Sequence, residues 1–141
     1  MPGINPEPNP KLKAVYFDLD STLIHGDPSR PYKETVPVLD YLTEQKKTIA
    51  MVSFSGIGVD CAAEVGIIKY FQDIRSANSL TGSKRGYITV LLAQHKLNKD
   101  EVVFVDDLQE NIDDITDFGI QCIHVDERKG ITLAQIKAAG L

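Results

Sequence analysis

Ala14 to Leu19 reads AVYFDL, a short apolar run rich in β-formers, with no polar residue until Asp18. Period-two alternation is missing from it, so the run is expected to be buried on both faces, as a central strand of a parallel sheet is. Thr48 to Ser53 (TIAMVS), Glu101 to Val105 (EVVFV) and Ile120 to Val125 repeat the pattern, and Asp73 to Ser76 is a shorter strand candidate. Helical patterns lie between these runs. Thr35 to Lys46 carries Val36, Leu39 and Leu42 on one expected face, with Pro37 tolerated in the first turn. Val59 to Val65 reads as a short helix stopped by Gly66. Arg85 to Lys96 carries Ile88, Leu91 and Leu92, and Leu108, Ile112 and Ile115 mark a helix ending at Gly119. Thr132 with Gln135 makes a capping-box start for a last helix. Strands alternating with helices imply an α/β domain built on a parallel sheet with right-handed crossovers.

Composition narrows the function classes. The chain has 141 residues, 43% of them apolar and 25% charged, an ordinary globular balance suited to one domain. A net charge of −5 argues against a broad basic surface for nucleic acid. No apolar run approaches the length of a membrane span, and the N-terminus lacks a signal-peptide layout. Cys61 and Cys122 fit no metal spacing and read as buried thiols in a reducing compartment; a cytoplasmic location is expected. Pro2, Pro6, Pro8 and Pro10 mark residues 1–12 as an extended tail, leaving 13–141 as the domain.

In parallel sheets, ligands bind outside the carboxyl ends of the strands, so the residues after each apolar run carry the chemistry. After the first run come Asp18, Asp20, Ser21 and Thr22; after the second, Ser53 and Ser55. Lys84 follows the third region in TGSK, and Asp106 and Asp107 follow the fourth, with Asn111 one turn on. Four carboxylates converging on one crevice repel one another and call for a cation. Oxygen-only ligands select a hard ion such as Mg²⁺. Mg²⁺ with Lys84 would nearly neutralise the four carboxylates and let a phosphate approach, with Ser53 and nearby backbone N–H groups as donors. That is the electrostatic equipment of phosphoryl transfer. A carboxylate at Asp18 can attack phosphorus, and a second one at Asp20 can move the proton.

These residues, in this order, resemble the haloacid dehalogenase superfamily. Asp18-Leu-Asp20-Ser-Thr22 looks like its DxDxT motif, Ser53 its second, Lys84 its third and Asp106-Asp107 its fourth. A closer likeness, to the capless magnesium-dependent phosphatases, rests on GSK at Gly82 to Lys84, on Phe104 to Ile112 and on Cys122 to Val125. The resemblance implies a three-layer α/β/α, Rossmann-like fold with a five-stranded sheet in the order 3-2-1-4-5. It implies Asp18 as nucleophile and Mg²⁺ ligand, and Asp20 as general acid/base with its backbone carbonyl on the metal. Lys84 would neutralise nucleophile and phosphate. Thr22, supporting the loop, Ser53 and Phe54 complete the substrate side. Asp107 would be the direct metal ligand, with Asp106 close behind it or acting through water.

Phe54 departs from the pattern, which has Asn or another polar or basic residue there. Asp20 points to phosphate hydrolysis, since dehalogenases lack a carboxylate at its position. The intervals Thr22 to Ser53 and Ser53 to Lys84 are largely used by sheet crossovers, so no cap domain is expected. His25 to Lys33 is left as a flap whose His25, Arg30 and Tyr32 are candidates for touching substrate. An open site admits a phosphorylated small molecule, such as a sugar or fructosamine phosphate, or a phosphotyrosine on a protein. A partner subunit in a homo-oligomer is an alternative lid.

The remaining polar and aromatic residues are expected to be structural. His95 is a helix-surface residue, and His124 packs near the sheet without binding metal. Asp113, Asp114 and Asp117 form an exposed helix face, and Tyr70 and Phe71 belong to the core. The competing function is a phosphate-binding or regulatory module that no longer turns over, for which Phe54 is the only support. A receiver-like signalling domain is disfavoured because its acidic pair lies on the first strand, whereas here the pair follows the fourth.

Overall fold

The computed structural model describes residues 8–25, 30–54, 58–76 and 83–141. Ser55, Gly82 and the middle of the His25–Lys33 flap lie outside them. The strands are β1 (Ala14–Phe17), β2 (Ile24–His25), β3 (Arg30–Pro31), β4 (Thr48–Ser53), β5 (Asp73–Ser76), β6 (Val102–Asp106) and β7 (Gln121–His124). The helices are α1 (Thr35–Glu44), α2 (Gly58–Glu64), α3 (Arg85–His95), α4 (Gln109–Asp117) and α5 (Leu133–Ala139). Five strands form one sheet in the order β5-β4-β1-β6-β7, every neighbouring pair parallel. Numbered along the chain, that is the expected 3-2-1-4-5. The flap adds a small antiparallel pair, β2 with β3.

Alternation along the strands builds the layers. Val15 and Phe17 of β1, with Ile49, Met51, Val103 and Val105, face a core shared with Val38, Leu39 and Leu42 of α1, Ala62 of α2 and Ile136 of α5. Ala14 and Tyr16, with Ala50, Val52 and Phe104, face Ile88 and Leu91 of α3 and Ile112 and Ile115 of α4. All four residues of β1 are fully buried, as a central strand covered on both faces must be. No helix among the described residues is long and apolar enough to cross a membrane.

Several expectations need correction. The buried stripe of α1 is Thr35, Val38, Leu39 and Leu42, whereas Val36 is 37% exposed. Steps of three fall short of a full turn, so Val36, Leu39 and Leu42 drift round the helix, while the i, i+3, i+4, i+7 set stays on one face. The packed body also begins before residue 13. Leu12 is 1% exposed within the core, and the Asn9 amide donates to the Ala139 carbonyl at 2.8 Å. Asn9 backbone lies so close to Gly140 (φ +113) that a side chain there would collide with it. Cys61 and Cys122 are half-buried, not in a disulfide, and burial pushes the Cys122 thiol up to about 11.

Candidate active site

β1 carries Asp18 to the carboxyl edge of the sheet, where its amide still donates to Val105 of β6 at 2.8 Å. The chain then turns sharply. The Leu19 carbonyl accepts from the Leu23 amide at 2.9 Å, and Ser21 takes a left-handed φ of 63° that a non-glycine residue rarely adopts. This loop leaves Asp18 buried and Asp20 exposed. Thr22, fully buried, donates through Oγ1 to Asp18 Oδ2 at 3.2 Å. It therefore supports Asp18 from behind and does not line the crevice, which corrects its assignment to the substrate side.

Lys84 stands at the start of α3 with only 3% exposure. Its Nζ donates to Asp18 Oδ1 at 2.8 Å and to Asp106 Oδ2 at 3.0 Å. The start of α3 is clamped to α4: Arg85 Nη2 reaches the Asp114 carbonyl at 2.9 Å and its carboxylate at 2.9 Å, and Ser83 donates to Asp114. The acidic helix face expected at Asp113, Asp114 and Asp117 thus also holds the lysine-bearing turn in place.

Asp106 ends β6, fully buried, and accepts from Lys84, from Asn111 Nδ2 at 3.0 Å and from the Leu108 amide at 3.0 Å. Asp107, half-buried, faces the crevice. His124 does not pack into the sheet. It is exposed, with Nε2 2.8 Å from the Asp107 carbonyl; a carbonyl only accepts, so that nitrogen carries the proton. Asp18, Asp106 and Asp107 each bring a carboxylate oxygen within 4.8 Å of the others. Asp20 contributes no carboxylate to this group. Three acidic groups around one ammonium leave excess negative charge, and an all-oxygen donor set of this size fits a hard divalent cation. Burial pushes Asp18 up to about 7, with Asp106 and Asp107 adding to the rise and Lys84 opposing it. Burial, then Asp106, likewise raises Asp107. Burial alone would lower Lys84, but Asp18 and Asp106 outweigh it and hold the ammonium charged.

Asp18, Asp20, Ser21, Ser53, Phe54, Lys84, Asp107, Leu108, Asn111 and Glu127 line a single crevice of about 430 Å³. Ser53, at the end of β4, is 2% exposed. Of the flap residues, Arg30 is exposed and His25 half-buried. Tyr32 is not a substrate-facing group. It is 5% exposed, stacks on His25 at 3.9 Å and donates to the Glu127 carbonyl at 2.5 Å. Gly130 (φ +69) lies against its ring, where any side chain would clash. Glu127 and Leu108 were missed as crevice residues. Glu127 follows the last apolar run, so reading that strand end as the other four were read would have found it. Leu108 keeps helical spacing to Ile112 and reads as core, yet it is 48% exposed.

An acid phosphatase family profile matches residues 25–140, a stretch that starts after the Asp18–Thr22 loop and contains Ser53, Lys84, Asp106 and Asp107. No curated protein matches the chain. A haloacid dehalogenase-like family hydrolase from Streptococcus pneumoniae is similar in structure, with a TM-score of 0.72 at 13% identity over 90% of both chains. So is a predicted phosphoglycolate phosphatase from Haemophilus somnus, with a TM-score of 0.71 at 15% identity over 91% of this chain and 92% of that one. The N-terminal part of a Bacteroides fragilis protein, which contains a phosphatase domain complexed with Mg, gives a TM-score of 0.73 at 15% identity. That match covers 92% of this chain and 40% of the other. At these identities the structural likeness speaks for the fold, and the profile match over most of the sequence speaks for the family. By the profile match the chain belongs to the acid phosphatase family, and it carries the fold of haloacid dehalogenase-like hydrolases.

Proposed function

We propose that the chain is a Mg²⁺-dependent phosphomonoester hydrolase working through an aspartyl phosphate on Asp18, with Asp20 as general acid and base. One observation carries the reading: three carboxylates from two strand ends meet within 4.8 Å beside a buried lysine. The Asp18 and Asp107 carboxylates and the Asp20 backbone carbonyl would hold Mg²⁺, with Asp106 behind them or acting through water. When bound, the ion supplies charge neutralisation and polarises a phosphoryl oxygen.

The chain's own groups perform the transfer. Asp18, held by Thr22 and Lys84, attacks phosphorus with a carboxylate oxygen, and the bond from phosphorus to the alcohol oxygen breaks. Asp20, exposed at the mouth, gives its proton to the departing alkoxide. It then takes a proton from water, whose oxygen attacks phosphorus. The bond to Asp18 breaks and inorganic phosphate leaves. Lys84 and Ser53 hold phosphoryl oxygens during both steps. With no cap domain, the crevice would admit a phosphorylated small molecule or a phosphorylated protein side chain.

The test is p-nitrophenyl phosphate turnover with Mg²⁺, with EDTA and with Asp18→Asn. Turnover lost in both controls is the expected result. A folded, Mg²⁺-loaded wild type that binds inorganic phosphate but turns over no phosphomonoester would favour the phosphate-binding module.

A further inference from the structure

We propose that Phe54 and Leu108 form an apolar wall that selects the leaving group, favouring a flat aromatic alcohol over a polyhydroxylated one. The inference rests on the phosphatase reading for what sits on the crevice floor, and it assigns what sits above. The crevice's buried polar lining, Asp18, Ser53 and Lys84, marks the floor; Asp20, Ser21, Asp107, Asn111 and Glu127 are the other polar residues around it, and Phe54 and Leu108 the apolar ones. Phe54 directly follows Ser53, and its ring can offer no hydrogen bond to a phosphate or a sugar hydroxyl.

What the ring does instead is visible in its contacts. The Lys84 ammonium lies 5.6 Å from its centroid, so the ring shields a buried cation. Tyr87, one turn along α3 from Lys84, meets it at 5.8 Å between centroids and an angle of 59°, a tilted packing that fixes the ring's orientation. Phe54 is therefore a held surface beside the phosphate position. Leu108 lines the same crevice, on backbone held by its own amide's bond to Asp106. A lone exposed leucine means little. Among the described residues, the other exposed large apolar side chains are Val36 and Val90, and neither lines the crevice. A crevice with a charged floor and an apolar side orients an amphipathic ligand with its phosphate down and its ring against the wall.

Calorimetric binding of benzylphosphonate and 2-hydroxyethylphosphonate to the full, Mg²⁺-loaded chain tests the wall without requiring turnover. The wild type is expected to prefer benzylphosphonate by roughly tenfold. Leu108→Ser should erase most of that preference while leaving the affinity for inorganic phosphate within twofold, and Phe54→Asn should erase most of the preference whichever way it moves the affinity for phosphate. Val90→Ser should leave the preference intact. Equal wild-type affinity for the two phosphonates would overturn the proposal. So would a preference that survives both substitutions, or, in Leu108→Ser, a loss of phosphate affinity as large as the loss for benzylphosphonate. Turnover of benzyl phosphate and glycerol phosphate, both esters of alkyl alcohols, reads the phosphatase assignment separately. A preserved binding preference with neither ester hydrolysed would sink the hydrolase reading and leave the wall standing.

Discussion

Two polar clusters hang from β1, and they differ in whether buried charge is left without a partner. Tyr16, in mid-strand, places its hydroxyl 2.7 Å from His95 Nδ1, and His95 Nε2 lies 2.5 Å from Asp73. A neutral imidazole satisfies this chain: Nε2–H donates to Asp73 and Nδ1 accepts from Tyr16. Every proton in that chain has an acceptor, and the charge of Asp73, whose side chain is 35% exposed, is served by solvent. Two residues on, Asp18 shares one lysine with Asp106 and sits near Asp107. Here one cation faces three carboxylates. Burying polar groups is therefore not what marks a functional site in this molecule; buried charge that nothing matches is.

The sharpest way to break the comparison is to remove the central carboxylate. Asp18→Asn is expected to lower phosphatase turnover by roughly a thousandfold or more, because it deletes the proposed nucleophile. It should not destabilise the metal-free fold, since it relieves repulsion with Asp106 and Asp107. Steady-state kinetics and thermal melting in EDTA check the two halves. Next in size is Lys84→Met. Removing the cation paired with a buried acidic group costs about 3–5 kcal/mol, read by urea denaturation. A loss below 1 kcal/mol would mean that solvent already serves the carboxylates.

A third expectation concerns pH. Asp18 is raised from an ordinary 3.8 to about 7, chiefly by burial, so between those values the folded chain binds a proton that the unfolded chain does not. Its contribution is full below about pH 4 and is lost as pH rises through about 7. In EDTA, wild-type stability should therefore fall relative to Asp18→Asn over that window, and Mg²⁺ should close the gap. A flat difference across the window would show Asp18 to be an ordinary exposed-type carboxylate.

Much of this architecture was legible in the chain, for a physical reason. Strands buried on both faces leave continuous apolar runs, and the polar residues after them mark the carboxyl edge. That is how Asp18, Ser53, Lys84 and Asp107 came to be read together. What was not legible depends on register or on exposure. His95 looked like a surface residue because its partners come from two other elements. Tyr16, Ala50 and Asp73 align across three strands, and the small Ala50 leaves room beside the tyrosine. Leu108 looked like core because an N-cap residue shares helical spacing with the face it precedes. Leu12 sits among prolines with no periodicity around it, so nothing local announced its burial.

The smallest expected effect probes the matched cluster. Tyr16→Phe keeps the ring in the core and removes only the hydroxyl, leaving His95 Nδ1 without its donor. An acceptor stranded in this way costs about 1–2 kcal/mol, less where water can reach it. The His95 side chain is 12% exposed, which favours the lower end of that range. Turnover should stay within twofold, although Tyr16 lies only two residues from Asp18, because its hydroxyl bonds to His95, at the opposite end of α3 from Lys84. A kinetic loss approaching that of Asp18→Asn would show that the two clusters act as one, and the line drawn between them would then fall in the wrong place. A stability loss without a kinetic one would confine Tyr16, His95 and Asp73 to holding α3 against the sheet.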